Sequence, residues 1–515
     1  MTLTQAPARA GTELADAVAV RLQRLRAVAP ALLGPDLPTV AEPAEELAEL
    51  LDRMVASLLA DRAPDRVWLL MTALSGRLPT DDDVRLALRT LELSDRTTAT
   101  LWLLDEALEA ARAAGTAGLP LELVEGGVVV DVDHTARHDL HTGIQRVVRT
   151  TVPRWAAEHD IVEAVWTPGH HAMRRLTRQE SDRVHRWGLS RDDVAPADLP
   201  PDAEPPDVGP QPLVVPWRST VVLIEVPVRE ACERLAAVGQ WSGNRVVAVG
   251  HDCIPVVSAG LMPLAEPNRF VHYLTAVKHM STVVGVSVSA TREFRGFSDM
   301  LPGQGLPGPA VSECALPVDT ATAPVGEPQP APADLPLVLC VGSFEPRKNQ
   351  LALLWAAEVL WREGLEFRLR FVGGGGWGAE FPRAVRRARR AGRPVEMLTT
   401  ISEQALDESY RLARFTALVS LHEGYGLPVA ESLARSTPAL VSDFGSLQEI
   451  GAGGGVLTVD PRDDEQVLAG MRRLLTDDAL VAELTAQIAR RPQRSWDDYA
   501  RELWAAFDLP AARRA

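Results

Sequence analysis

The sequence predicts an α/β protein with two parallel-sheet domains in tandem, facing across a cleft and preceded by an all-helical N-terminal extension. Three observations predict it. Apolar β-branched runs alternate with helix-like stretches in two separate series, the pattern of parallel sheets. A stretch too rich in Pro and Ala for a core element, "LPVDTATAPVGEPQPAPADLP", divides the two series and reads as an extended linker. Up to about Leu119 the chain instead carries Ala, Leu, Arg and Glu at helical spacing, as in "EPAEELAELLDRMVASLLADR". The boundaries that follow are 1–122 for the helical region, 123–318 for the first α/β domain and 319–336 for the linker. The second α/β domain takes 337–485 and a C-terminal helical segment 486–515.

In the first α/β domain, "LVEGGVVVDVDH" reads as a strand followed by a loop and the helix-like "TGIQRVVRTTVPRWAAEH". Further strands are expected at "STVVLIEVPV", "NRVVAVGHD" and "STVVGVSVSA", and residues 191–212, rich in Pro and Asp, read as an exposed loop. In the second domain "LPLVLCVGSF", "FRLRFVGGGG", "RPVEMLTT", "TALVSL", "TPALVSD" and "GGVLTVD" are the strand candidates. The terminal "SWDDYARELWAAF" is amphipathic, and its Trp496, Trp504 and Phe507 are expected in a core.

The chain has 515 residues, enough for about three domains, and its 53 basic against 69 acidic residues give a net charge of -16. That balance argues against a nucleic-acid partner, which needs a concentrated basic surface. The four cysteines, Cys232, Cys253, Cys314 and Cys340, are far apart and lack metal-ligand spacing, which fits a reducing cytoplasm. No signal-peptide core and no run of about eighteen apolar residues is found, so a cytoplasmic protein is expected, with peripheral contact at the inner face of a membrane left open.

The densest chemistry lies in "SLHEGYGLPVAES", Ser420 to Ser432, where Glu423 and Glu431 stand eight positions apart around a glycine-rich turn. A buried strand precedes the turn, and a helix from Leu427, with Pro428 in its first turn, follows it. Gly424 and Gly426 allow close backbone approach there, and the helix's first amides form an anion site. A diphosphate on those amides would repel nearby carboxylates, so the glutamates suit neutral hydroxyls on either side of it. A nucleotide-sugar carries a sugar on each side of its diphosphate.

Several stretches together resemble the family-4 retaining glycosyltransferases of the two-Rossmann GT-B fold, in particular bacterial polysaccharide mannosyltransferase-like members. They are "TGIQRVVR" (Thr142 to Arg149), "HDCIP" (His251 to Pro255), "VGSFEPRKN" (Val341 to Asn349), "FVGGGGWG" (Phe371 to Gly378), "HEGYGLPVAES" (His422 to Ser432) and "SDFGSLQEI" (Ser442 to Ile450), in the family's order over about residues 126 to 505. The helical N-terminal region lies outside the match. The resemblance implies that Glu431 holds the nucleotide ribose and that Glu423 sits near the transferred sugar. Gly424, Tyr425, Gly426 and Leu427 would form the donor turn between them.

In "EPRKN", Arg347 can grip phosphate bidentately and Lys348 is a point charge, so both suit a leaving diphosphate; read alone, such a pair is more often a solvated loop. Lys348 reads as a cleft-loop lysine whose removal should leave folding intact. Gly342 and Gly373 end strands near the cleft, while Gly375 and Gly376 read equally well as a flexible turn. Thr142 and Gly143 open a helix whose N-terminus should face the cleft, as donor-phosphate or acceptor residues. His251 and Asp252 end a strand at its carboxyl edge, where open sheets place ligands; the resemblance puts His251 near the reacting carbon, though a structural role reads equally well. Ser287 resembles the family's strand-end serine.

A retaining, metal-independent hexosyltransferase is therefore expected, with donor in the second domain and acceptor in the first. The donor is read as GDP-mannose, with a UDP-sugar or another GDP-sugar as alternatives, and the acceptor as a glycan, lipid-linked or small molecule. No cofactor or metal is expected. With no evident nucleophile, front-face attack is implied. Two other readings stand beside it: a catalytically silent sugar-nucleotide-binding or scaffold protein, and a metal-dependent transferase using the Asp-x-Asp of Asp131 and Asp133. His134, His138 and His141 read as loop residues. The basic run Arg383 to Arg393 reads first as a solvated helix face and second as a surface for anionic lipid.

Overall fold

The computed structural model describes residues 6–35, 42–140, 142–187, 211–318, 335–399, 401–492 and 494–510. The expected linker up to residue 334, the loop at 191–210 and His141 lie outside the described residues.

The first α/β domain is built on nine strands: β1 (Leu121–Glu125), β2 (Val128–Asp131), β3 (Ile161–Trp166), β4 (Met173–Arg175), β5 (Leu213–Trp217), β6 (Thr220–Leu223), β7 (Arg245–Gly250), β8 (Thr282–Gly285) and β9 (Ala310–Glu313). Their order is β1-β5-β4-β3-β2-β6-β7-β8-β9. The second domain has β10 (Leu337–Val341), β11 (Arg368–Val372), β12 (Val395–Leu398), β13 (Ala413–Leu418), β14 (Ala439–Ser442) and β15 (Val456–Val459), ordered β12-β11-β10-β13-β14-β15 and parallel throughout. All six strand candidates of this domain form strands.

Three expectations for the first domain are corrected. The stretch "LVEGGVVVDVDH" holds two strands: Gly126, at φ 65°, turns the chain, so that β1 pairs with β5 at one edge and β2 enters the centre. The sheet is mixed, because the short β4 runs antiparallel to both β3 and β5. His134 lies in a short helix, Asp133–Arg137, and not in a loop.

Strand order reverses direction between β2 and β6 in the first sheet and between β10 and β13 in the second. Crevices open at such reversals at the carboxyl ends of the strands. In the second domain that point brings together the loops after β10 and β13, which are "EPRKN" and "HEGYG".

Five helices, Ala6–Leu33, Pro43–Ala60, Pro64–Ser75, Asp81–Leu93 and Arg96–Ala114, make up the N-terminal region. They share one apolar core with the first sheet, in which Leu25, Trp68 and Leu70 join Val221, Tyr273 and Phe294. Gln23 pairs both ways with the backbone of Leu121 (2.9 and 3.0 Å), so the first helix covers the edge strand β1, which would otherwise present unpaired backbone. The fully buried Arg24 adds a bond to the Leu119 carbonyl at 2.8 Å.

Helix Asp478–Ile488 runs through the 485/486 boundary drawn from composition. The last described helix, Trp496–Ala506, returns to the first domain. Tyr499, Leu503, Trp504 and Phe507 join Val147, Val152 and Trp155 in a core, and the Trp155 indole donates to the Ala500 carbonyl at 2.9 Å.

Candidate active site

The loop after β10 is fixed by its own sequence. Pro346 to Lys348 make a single 3-10 turn, and Asn349 follows at φ 54°, ψ 31°, a left-handed conformation that Asn tolerates better than most residues. Its side chain is anchored to the Pro461 carbonyl at 2.7 Å, and helix Gln350–Arg362 starts directly after it. This reversal turns Lys348 inward. Its Nζ donates to both oxygens of Glu423, at 2.6 and 2.8 Å, with the lysine side chain 9% and the glutamate 8% exposed. Lys348 is thus a buried ion-pair member, which corrects the expectation of a dispensable loop lysine.

Arg347 lies beside them, with its guanidinium 3.3 Å from Glu423, 3.1 Å from the His422 carbonyl and 2.7 Å from Glu345. Burial alone would raise the Glu423 carboxyl, but Lys348 and then Arg347 overcome it and hold the group at about 2. The carboxylate is ionised at any physiological pH.

Backbone approach shapes the rest. A Cβ on Gly373 would lie 2.0 Å from the Gly342 carbonyl oxygen, so the ends of β10 and β11 meet only because this residue is glycine. Gly376 has the same requirement against the Phe344 carbonyl at 2.2 Å, and so is more than a flexible turn. Across the cleft, a Cβ on Gly424 would strike the His251 carbonyl at 2.6 Å and the Asp252 carboxylate at 2.8 Å. This glycine therefore lets the two domains touch.

The residues expected from the first domain converge on the same contact. The buried His251 bonds through Nε2 to the Ile224 carbonyl at 2.9 Å, and burial pushes its ring down to about 4, so it is neutral at pH 7. With Nε2 as donor, Nδ1 carries the lone pair. Asp252 accepts from the Ile254 amide at 3.1 Å. Ser287 donates to the Gly424 carbonyl at 2.7 Å and caps helix Val288–Met300. Thr142 stands at the N-cap of helix Gly143–Glu158, and Gly143 faces the side chain of Leu427. Tyr425 donates to the Leu316 carbonyl at 2.5 Å, and Gly426, at φ 110°, precedes helix Leu427–Ala434. Glu431 accepts from the Tyr410 hydroxyl at 2.6 Å and pairs with Arg146 from the first domain.

Several partners were not singled out by sequence reasoning. His422 bonds to Glu293 at 2.6 Å and to Ser258 at 2.7 Å, both from the first domain, and Glu293 raises its ring pKa against the effect of burial. Glu449 accepts from the Val288 and Ser289 amides at 2.8 Å each. Arg146 and Glu449 lie inside quoted motifs, but only their cross-domain partners mark them out. A cavity of about 200 Å³ remains between the domains, lined among others by Ser289, Glu293, Ser420, His422, Glu423 and Ser446. It is smaller than the roughly 300–1,000 Å³ of pockets for drug-sized ligands.

The Asp-x-Asp carboxylates are committed elsewhere. Asp131 accepts from the Trp166 indole at 2.9 Å and the Asp133 amide at 3.1 Å. Asp133 accepts from the Arg137 guanidinium at 2.6 Å and the Trp166 amide at 2.8 Å. Among the described residues no group of three or more His, Cys, Asp or Glu is arranged to hold a metal.

Residues 327–492 match the family Glycosyl transferases group 1. The second domain is a group 1 glycosyl transferase domain. The serotype-specific mannosyltransferase WbdA of Escherichia coli is 26% identical over 339 residues, 63% of this chain and 39% of that protein. The O-antigen chain mannosyltransferase B of Escherichia coli is 31% identical over 177 residues, 33% of this chain and 45% of that protein. This chain thus spans less than half the length of these relatives. Sucrose-phosphate synthase from Thermosynechococcus elongatus superposes with a TM-score of 0.50 at 15% identity, covering 74% of this chain and 98% of that one, a likeness of fold. The architecture is the two-domain GT-B fold with a helical extension packed on its first domain.

Proposed function

We propose that the chain is a retaining glycosyltransferase that moves a hexose, best read as mannose, from a nucleotide-diphosphate sugar to a glycan, lipid-linked or small-molecule acceptor. The observation that carries the reading is the buried Arg347–Lys348–Glu423 cluster at the strand reversal of the group 1 domain, set against His251 of the first domain. Two preorganised cations in a water-poor cleft are what a departing diphosphate needs as the glycosidic bond stretches. Glu423, held ionised, accepts from sugar hydroxyls, and Glu431 accepts from the ribose. His251, neutral, offers an acceptor near the reacting carbon without adding charge. Gly342, Gly373, Gly424, Tyr425, Gly426 and Leu427 shape the donor bed, while Thr142, Gly143, Asp252 and Ser287 face it from the acceptor side.

The chemistry proposed is metal-independent front-face transfer, with the leaving phosphate helping to take the acceptor hydroxyl's proton. Arg347 and Lys348 supply the positive charge, while the side chains that could have held a cation, Asp131 and Asp133, are consumed by Trp166 and Arg137. Mannose from GDP-mannose is favoured by the mannosyltransferases among the relatives. No described helix is long and apolar enough to cross a membrane. We place the protein in the cytoplasm; a lipid-linked acceptor would suit the exposed arginines Arg383, Arg386, Arg387, Arg389 and Arg390 at the membrane's inner face.

The test is release of nucleoside diphosphate from a panel of GDP- and UDP-sugars, with and without candidate acceptors, and the anomeric configuration of the product by NMR. Nucleotide binding without turnover would leave only a silent binding protein, and an inverted product would end the retaining reading.

A further inference from the structure

Arg146 is the fourth residue of helix Gly143–Glu158, in the first domain, yet its guanidinium pairs with Glu431 in the second. Both carboxylate oxygens of Glu431 are engaged, since Tyr410 donates to the other one at 2.6 Å. A ribose diol that takes the carboxylate edge through both hydroxyls competes there with Arg146. Away from Glu431 the guanidinium keeps only the favourable charge of Glu403 among the carboxylates that act on it, and a cation 27% exposed that loses its ion pair is strongly disfavoured. Lys348 and Arg347, proposed above to meet the departing diphosphate, keep Glu423 and Glu345 beside them whether or not a donor is bound, so Arg146 is the cation that donor binding would leave short of a partner.

A nucleoside diphosphate resolves both problems at once. Its ribose hydroxyls are neutral donors for Glu431, and its phosphates carry the negative charge that Arg146 loses. The amides opening Arg146's own helix are a second attraction for that anion. Resting on the nucleotide-sugar reading above, we infer that Arg146 is a donor-binding residue contributed by the first domain, which exchanges Glu431 for the donor diphosphate when the ribose takes the glutamate. Donor binding is then a trade of one ion pair for another across the cleft, and its diphosphate half depends on the domains being together.

The exchange separates two ligands that share a base and a ribose. A nucleoside breaks the Arg146–Glu431 pair and offers nothing in return; a nucleoside diphosphate replaces it. Calorimetric titration with GDP, UDP and ADP and with the matching nucleosides should be run on the wild type, Arg146→Gln and Arg146→Lys, after confirming folding by circular dichroism. For the nucleotide that the wild type binds, Arg146→Gln should weaken diphosphate binding roughly tenfold or more, the scale of losing one side of a partly buried charge pair. Its nucleoside binding should be unchanged or tighter. Arg146→Lys, which keeps the charge but not the fork, should show a smaller loss of the same kind.

Tighter diphosphate binding in Arg146→Gln would make Arg146 a mere competitor for Glu431. Equal weakening of nucleoside and diphosphate would make it a support for Glu431, and no change in either would remove it from the site. Each of these overturns the inference alone. A wild type that binds none of the diphosphates overturns the nucleotide-sugar reading itself.

Discussion

Replacing Lys348 by methionine keeps most of the side chain's volume and removes its charge from beside Glu423. The Glu423 carboxyl is drawn from its usual 4.5 to about 2 against the pull of burial, first by Lys348 and then by Arg347. At about 1.4 kcal/mol per tenfold change in proton affinity, the net preference for the ionised form is about 3 kcal/mol, the margin by which the cations and hydrogen bonds outweigh burial. Lys348 reaches both carboxylate oxygens, whereas Arg347 reaches one at 3.3 Å, so the lysine carries the larger part. Lys348→Met should lower stability by about 2–3 kcal/mol at pH 7, near the low end for breaking a buried pair because Arg347 remains. Lys348→Met/Glu423→Gln removes both charges and should recover most of that loss. Activity should not follow: losing one preorganised donor to a developing anion lowers kcat roughly a hundredfold to a thousandfold. Urea unfolding and diphosphate release at saturating donor read the two effects separately. A single variant with the wild-type unfolding midpoint and near-wild-type kcat would refute the reasoning, since Lys348 would then be neither a structural nor a leaving-group cation.

Glu431→Ala should raise the donor KM more than it lowers kcat, because ribose contacts persist through the reaction; a loss confined to kcat would contradict this role. Turnover should survive EDTA, and loss of activity restored by manganese would revive Asp131 and Asp133 as metal ligands. Arg347→Lys should lower kcat even at saturating donor, since lysine cannot span Glu345, Glu423 and the His422 carbonyl together; full activity would remove Arg347 from the leaving-group site. Stability should also fall with rising pH. Burial and then the neighbouring carboxylate raise Asp131 from 3.8 to about 7 and Glu225 from 4.5 to about 8. Groups whose folded pKa lies above the unfolded one stabilise fully below about pH 4 and lose that contribution up to about pH 8. Above about pH 6.5 the buried neutral His251 no longer contributes a change of its own, so the melting temperature at pH 9 should be below that at pH 7, and equal values would refute the assignment.

The second domain was the more legible because each of its strands is a compact apolar run buried in a parallel sheet. The first hid several elements. β4 is three residues, "MRR", held by its neighbours rather than by any pattern of its own. β5 contains Pro216, which ordinarily argues against an interior strand. Leu213 donates toward β1, so by alternation position 216 faces the β4 side, beyond the end of that short strand, and no ladder bond is missed. In the site, the motif residues Arg347, Lys348, Glu423 and Glu431 carried local signals of charge and glycine spacing. Arg146, Glu293 and Glu449 carried none, because each takes its meaning from a carboxylate, histidine or helix end more than a hundred residues away.

The helix Trp496–Ala506 has one more consequence, for how the chain is made. It completes the core around Trp155, with Trp504 stacked on His159 at 3.6 Å between ring centroids and Arg245 bonded to the Phe507 carbonyl at 2.9 Å. On the ribosome, where domains generally fold N-terminal first, the first sheet emerges long before this helix. It must wait through synthesis of the whole second domain with the apolar surface of Trp155 and Val152 uncovered. The second domain, whose sheet closes within residues 337–459, can fold while its predecessor is still unfinished. The domain that emerges first is thus the one sealed last.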